Sequence, residues 1–192
     1  MNSRRTISAE KMNQEDYILI RKTKKGDQKA IASLYEKHKS YWFQICLRYA
    51  KNRDEAQDLF QDGVAKIFEK MNNYNEKKGS FNGWSNKVLV HEALRSLKKN
   101  QWQDSFKDAS EYDSLDYENE SAIERITAKE LTELIQDLPL GYRVVFNMYE
   151  IEGYSHKEIA EKLNISVGTS KSQLSRSKKA LQEKIVKLFE IY

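Results

Sequence analysis

Between Ser155 and Lys179 the chain carries residues whose types and order suit contact with DNA. Ser155-His156-Lys157-Glu158 matches a capping box, in which Ser and Glu satisfy the orphan amides at a helix start. Ile159, Ala160 and Leu163 then mark an inward face, and the small Ala160 lets a second helix cross closely. Asn164 falls where the turn needs a left-handed residue, which Asn tolerates better than most side chains do. Ile165 plugs the corner, and Ser166 can cap the next helix. This spacing predicts a helix-turn-helix. Its second helix bears Lys171, Ser172, Gln173, Ser175, Arg176, Lys178 and Lys179, with Glu183 the one early acid. Arg and Gln are long enough to reach base edges, while Lys and Ser hold phosphates. A chance helical corner with a solvated basic face is the plainer alternative, but four features in register favour DNA.

Two further clusters lie upstream. Lys87, His91, Arg95 and Lys98 recur at spacings of four, four and three, so they make one cationic stripe on a helix. Tyr74, Lys77, Lys78, Phe81, Trp84 and Lys99 lie near its ends. Cations among aromatics can grip a backbone and stack exposed bases, as single-strand binding requires. A solvated helix over a core Trp84 would share this pattern. The other cluster is acidic: Asp54, Glu55, Asp58 and Asp62, interleaved with Gln57 and Gln61. Acids favour a helix N-terminus for electrostatic reasons. Asp58, Gln61 and Asp62 also share one face, and acids facing DNA would repel it, so that face suits a basic protein partner.

The elements that must position these groups read as helices. The chain has 192 residues, of which 39% are hydrophobic and 32% charged, with seven Gly and one Pro, Pro139. So few breakers favour an all-α fold. Asp16 to Lys25 forms a helix stopped by Gly26, and Asp27 caps the next, whose apolar face is Ile31, Leu34, Trp42, Ile45 and Tyr49. A third helix carries Ala56, Phe60, Val64, Ile67 and Met71, a polar loop spans Asn72 to Ser80, and a fourth helix starts near Phe81. From Asp104 to Glu124 eight acids face Lys107 alone, the composition of a linker that cannot bury itself. Helices then run over Ile126 to Asp137, from Leu138-Pro139 to Gly153, from Ser155 to Leu163 and from Val167 to Phe189. The expected organisation is two small helical domains, 13–103 and 126–192, joined by an acidic linker, 104–125.

The net charge of +4 says little, because the placement of charge matters more than its sum. Cys46 stands alone, which excludes a disulfide framework and a cysteine metal cluster. No apolar run reaches the ~20 residues of a membrane span, and the N-terminus lacks a signal-peptide core. A cytoplasmic protein without membrane insertion is expected. His38, His91 and His156 are scattered, and no phosphate loop or nucleophile motif accompanies them. No catalytic residue, metal site, cofactor or small-molecule substrate is therefore expected. A conventional helix-turn-helix regulator, with a sensing or dimerising N-terminal block, remains open on these residues alone.

Three segments together resemble one family. Asp54-Glu55-Ala56-Gln57-Asp58-Leu59-Phe60-Gln61-Asp62 is similar to the region-2 core-binding helix of sigma-70 family factors. Lys78-Gly79-Ser80-Phe81-Asn82-Gly83-Trp84 resembles the segment leading into their promoter-melting helix, and Ser155 to Leu181 resembles their region-4 helix-turn-helix. Two domains joined by a linker, with nothing between, resemble the extracytoplasmic-function (ECF) group. The resemblance implies a transcription initiation factor whose Asp58, Leu59, Gln61 and Asp62 dock on the clamp helices of the beta-prime subunit of core RNA polymerase, with a further contact at the beta flap. It implies minus-ten contacts by Tyr74, Asn75, Lys77, Lys78, Asn86, Lys87, His91, Arg95 and Lys98. It implies minus-thirty-five contacts by Ser166, Thr169, Lys171, Ser172, Gln173, Ser175, Arg176 and Lys179. Promoter DNA is the implied nucleic acid, and an anti-sigma factor is a further partner the resemblance admits. The chain departs from the family at His91, where Asn is common, at Ser170, where an apolar residue is usual, and at Gln173, where Arg is usual.

Overall fold

The computed structural model describes residues 14–99, 106 and 127–190, and among these every regular element is helical. Polar caps and glycines set the boundaries. Helix α1, Gln14–Lys24, ends at Gly26, whose φ of +81° turns the chain. The Asp27 carboxylate accepts the amides of Lys29 and Ala30 at 2.9 and 3.1 Å and so starts α2, Gln28–Tyr49. Asn52 does the same for α3, Arg53–Glu69, by accepting the Glu55 amide at 2.9 Å. Two short 3-10 turns, Met71–Asn73 and Glu76–Lys78, lead to α4, Phe81–Lys99, where the Ser80 hydroxyl accepts the Gly83 amide at 3.1 Å. After residue 127 come α5, Ala128–Gln136, and α6, Leu140–Phe146. A π-helical turn, Asn147–Ile151, follows, then α7, His156–Leu163, and α8, Val167–Glu190.

The chain forms two compact units. The described residues of 1–46 and 57–93 make up the first, and those of 47–56 and 94–192 the second. The expected domain limits differ from these: the end of α2 with the start of α3, and the end of α4, belong to the second unit. Of the expected linker, 104–125, only Phe106 lies within the described residues, and it is buried.

In the first unit α2 supplies the spine, burying Ala30, Leu34, His38, Trp42 and Ile45 at spacings of three and four. Trp42 is fully buried and donates its indole N–H to the Ser85 hydroxyl at 3.1 Å. Its ring stacks on His38, with centroids 5.4 Å apart, and meets Phe68 and Phe81 edge to face. Helix α3 turns Leu59, Gly63 and Ile67 inward. A Cβ built on Gly63 would lie 2.4 Å from the Leu89 side chain, so α3 and α4 approach as closely as they do because this position has none. Phe60 and Val64, expected on the apolar face of α3, are only half-buried, and Phe60 instead contacts Tyr35 and Phe43 of α2.

In the second unit, α6 and α7 pack on α8, with Ile135, Leu138 and Leu181 at the centre of a cluster that includes Leu131, Tyr142 and Phe146. The single helix expected up to Gly153 is interrupted by the π turn. There the buried Asn147 side chain donates to the carbonyls of Arg48 at 2.7 Å and Arg143 at 2.9 Å, competing with the regular ladder for the Arg143 oxygen. Gln136 caps the Leu47 carbonyl at 3.0 Å, and Arg48 pairs with the nearly buried Glu152 at 3.1 Å, closing the end of α2 onto these helices.

Burial holds the imidazoles of His38 and His156 below their ordinary value. The unfolded chain therefore takes up these protons first as pH falls through about 6.5, and the folded state loses relative stability below that point. The midpoint of thermal unfolding should drop between pH 7.5 and 5.5, and His38→Phe, which keeps the ring stack, should flatten that dependence in a calorimetric scan.

Candidate nucleic-acid interface

The helix-turn-helix is built as its residues dictate. The Ser155 hydroxyl accepts the Glu158 amide at 3.3 Å, and the Glu158 carboxylate accepts the Ser155 amide at 2.8 Å, completing the capping box. Asn164 ends α7 at φ 56°, ψ 51° and is the sole non-glycine residue with positive φ among those described. The Ser166 hydroxyl accepts the Thr169 amide at 2.8 Å and starts α8. The hydroxyls of Ser166 and Thr169, both expected among the minus-thirty-five contacts, are 2.9 Å from one another.

Along α8, Lys171 and Lys179 are exposed and Ser175 and Arg176 half-exposed. Lys178 is drawn away by Glu150 at 2.7 Å. The expectation that Ser172 and Gln173 are among the minus-thirty-five contacts does not fit this packing: they are 3% and 1% exposed. The reason is helical phase. Ser170, Gln173, Leu174, Ser177 and Leu181 recur every three or four residues and form the inward side of α8. Neither amide atom of Gln173 finds a hydrogen-bond partner among the described residues, an arrangement that costs roughly 1–3 kcal/mol.

Ser170, the polar residue at a usually apolar position, is accommodated. Its hydroxyl lies 2.9 Å from His156 Nδ1, and the His156 ring stacks on Tyr149 at 4.3 Å. His156 is kept below the usual imidazole range chiefly by burial and next by the nearby Lys171 charge. A neutral ring thus ties the start of α7 to the second turn of α8. The sequence reading left His156 without this role, since its partner is fourteen residues away.

In the first unit the 72–80 loop is anchored from within. Met71 and Tyr74 are buried, and the Tyr74 hydroxyl donates to the Gly79 carbonyl at 3.1 Å. Lys24 Nζ donates to the Tyr74 carbonyl at 2.6 Å and lies 5.6 Å from its ring centre. Gly79, at φ +147°, takes a backbone conformation that L side chains rarely adopt. Tyr74 thus serves as the loop's root and packs on Phe81 and Trp84, rather than standing ready for a base. What the loop presents outward is Asn75, Lys77 and Lys78, all exposed. On α4 the stripe of Lys87, His91, Arg95 and Lys98 is exposed and Asn86 half-buried. Lys98 Nζ donates to the Lys162 carbonyl at 2.8 Å.

On α3, Asp54, Gln57, Asp58, Gln61 and Asp62 are all exposed, so the acids are free to meet a partner. Leu59, expected among the docking residues, is 4% exposed and faces the core because it lies on the Ala56, Gly63, Ile67 side of the helix. Among the described residues there is no grouping of three or more His, Cys, Asp or Glu able to hold a metal, and no helix long and apolar enough to cross a membrane.

Two stretches of the chain match known family models. The family described as Sigma-70 region 2 matches residues 34–103, and Sigma-70, region 4 matches residues 128–181. The chain belongs to the sigma-70 family. The ECF RNA polymerase sigma factor SigW of Bacillus subtilis is 28% identical over 177 residues, covering 86% of this chain and 94% of that protein. The RNA polymerase sigma-H factor of Pseudomonas aeruginosa is 24% identical over 181 residues, covering 88% and 93%. These relatives place the chain in the ECF group. A solved structure of CnrH in complex with the cytosolic domain of CnrY aligns with TM-score 0.47 and 18% identity, covering 89% of this chain and 97% of that one.

The capping box is open to a direct test. Ser155→Ala should destabilise the protein by about 1 kcal/mol, read as a lower midpoint in denaturant unfolding at unchanged slope.

Proposed function

We propose that this sigma-70 family chain is an ECF-type initiation factor that binds core RNA polymerase, recognises promoter DNA and promotes strand opening. One observation supports this reading above the others: within the first unit α3 exposes Asp58 and Asp62, while the 72–80 loop and α4 expose Lys77, Lys78, Lys87 and His91. Opposite charges on neighbouring helices suit two partners, one a basic protein surface and one a nucleic acid.

The division of work follows from chemistry. Asp58, Gln61 and Asp62 offer acceptors to a basic surface, and the clamp helices of the beta-prime subunit are the proposed site. Asn75, Lys77, Lys78, Asn86, Lys87, His91, Arg95 and Lys98 are the proposed minus-ten contacts. Lysines hold the backbone as point charges, while the Asn amides offer both donor and acceptor to an unpaired base edge. Extruding a base costs a few kcal/mol, which such contacts must offset. Lys171, Ser175, Arg176 and Lys179, with Ser166 and Thr169 at the helix start, are the proposed minus-thirty-five contacts. The beta flap is the proposed partner of the second unit. An anti-sigma protein, if bound, would act by covering either the acidic face of α3 or the cationic face of α4.

Adding the chain to core polymerase should yield promoter-dependent run-off transcripts that neither component gives alone. Failure to bind core polymerase at low salt would overturn the reading. Asp62→Lys should weaken competition for core by about tenfold, or about 1.4 kcal/mol, while the circular dichroism of the free chain stays unchanged. Arg176→Ala should reduce discrimination between preferred and altered minus-thirty-five sequences by about 1–3 kcal/mol if Arg176 makes a bidentate base contact. Unchanged promoter preference in a transcription competition would remove it from the reading set.

A further inference from the structure

We propose that Lys24 is a positioning residue, which fixes the 72–80 loop in the shape that presents Asn75, Lys77 and Lys78 to an opened DNA strand. The inference rests on the reading of that loop as a minus-ten element and adds to it a residue that has no place there. Lys24 stands ahead of residue 34, where the match to the region-2 family begins.

Local structure sets where the lysine sits. It is the last residue of α1. The Lys25 amide donates to the Lys22 carbonyl at 3.0 Å and the Gly26 amide to the Thr23 carbonyl at 2.9 Å, closing the helix end around it. Ile20 and Thr23 are buried, and α1 packs against the Met71–Asn73 turn. Lys24 follows Ile20 by four residues, so it lies at the edge of this inward face and is half-buried.

The loop has an acceptor where Lys24 brings a donor. Tyr74 leaves the 3-10 turn with φ −66° and ψ 131°, an extended conformation that turns its carbonyl away from the turn it ends. Lys24 Nζ donates to that carbonyl at 2.6 Å and lies 5.6 Å from the Tyr74 ring centre. A bond from an ammonium group is roughly twice as strong as one between neutral groups. The Tyr74 hydroxyl in turn donates to the Gly79 carbonyl at 3.1 Å. Tyr74 is thus held by main chain and side chain, and its two bonds bracket residues 75–78.

Within the bracket the bonds are local. The Asn75 side chain accepts the Lys77 amide at 2.9 Å, and the Lys78 amide donates to the Asn75 carbonyl at 3.0 Å. They shape the turn without orienting it on the unit. The Tyr74 ring is seated on Phe81 and Trp84, with centroids 5.4 Å from each, and does not need Lys24 for that. What the lysine sets is the peptide from Tyr74 to Asn75, through which the exposed residues are carried.

The test compares Lys24→Met, which keeps the length and loses the donor, with Lys24→Arg, which keeps a charged donor. Lys25→Met removes the neighbouring exposed lysine as a control. Each full chain is assembled with core polymerase, and strand opening is followed by stopped-flow fluorescence on an aminopurine-labelled promoter that the wild type transcribes. At saturating holoenzyme the opening rate should fall about tenfold in Lys24→Met, the effect of losing one bond from a charged group. The concentration giving half the maximal rate, and competition for core, should stay at wild-type values, which a general loss of fold would not allow. Lys24→Arg should restore most of the rate, and Lys25→Met should match the wild type. In the free chain, trypsin should cut after Lys77 and Lys78 faster in Lys24→Met than in the wild type or Lys24→Arg. If Lys24→Met proves unstable, Lys24→Gln, one atom shorter, should show the same two changes. Unchanged opening or unchanged cleavage overturns the proposal, and so does an Arg variant as slow as the Met variant. If the wild type opens no promoter, the initiation-factor reading falls and with it the strand as the loop's partner. The cleavage readout then still decides whether Lys24 fixes the loop, so the two failures are distinguishable.

Discussion

The aromatic packing around Trp42 is the constraint on which the first unit depends. Trp42 is fully buried, bonded through its indole N–H to Ser85 of α4 and stacked on His38 of its own helix. Phe81 touches Trp42, His38, Tyr74 and Trp84, so the root of the 72–80 loop and the start of α4 share one set of rings. Aromatic pairs hold specific geometries rather than merely filling volume. A loop rooted this way presents Asn75, Lys77 and Lys78 from fixed positions. Little ordering entropy is then left for these side chains to lose on contact with any partner.

The second unit solves a different problem. A helix-turn-helix must hold one helix outward with few residues behind it, so local hydrogen bonds carry much of its definition. Capping boxes at Thr127 and Ser155, the left-handed Asn164 and the Ser166 cap set four helix ends without distant contacts. His156 adds one longer tie, to the buried Ser170, and so lets a polar residue stand where the helix interface would otherwise be apolar.

The fold class, the order of helices and the helix-turn-helix could be read from the sequence because they rest on short-range rules: caps, helical period and the scarcity of Gly and Pro. What could not be read depends on rotation within a helix or on partners far along the chain. Leu59 sits between exposed Asp58 and exposed Gln61, and only the packed helix reveals that its side chain goes inward. Gln173 had the right chemistry for a base contact but the wrong phase. Its spacing from Ser170 and Ser177 was visible, yet polar residues at those positions hid the inward stripe. The π turn arises from Asn147 meeting the Arg48 carbonyl, ninety-nine residues away in sequence. Lys24 and Tyr74 are fifty residues apart, so the anchoring of the loop had no local signal.

Gly63 carries a mechanical consequence. With no side chain to hold the helices apart, Leu89 lies directly against the α3 backbone, on the reverse of the helix that displays Asp58 and Asp62. Close-packed helices transmit displacement rather than absorb it. A load applied to the carboxylates on one helix is therefore passed to its cationic neighbour without a hinge.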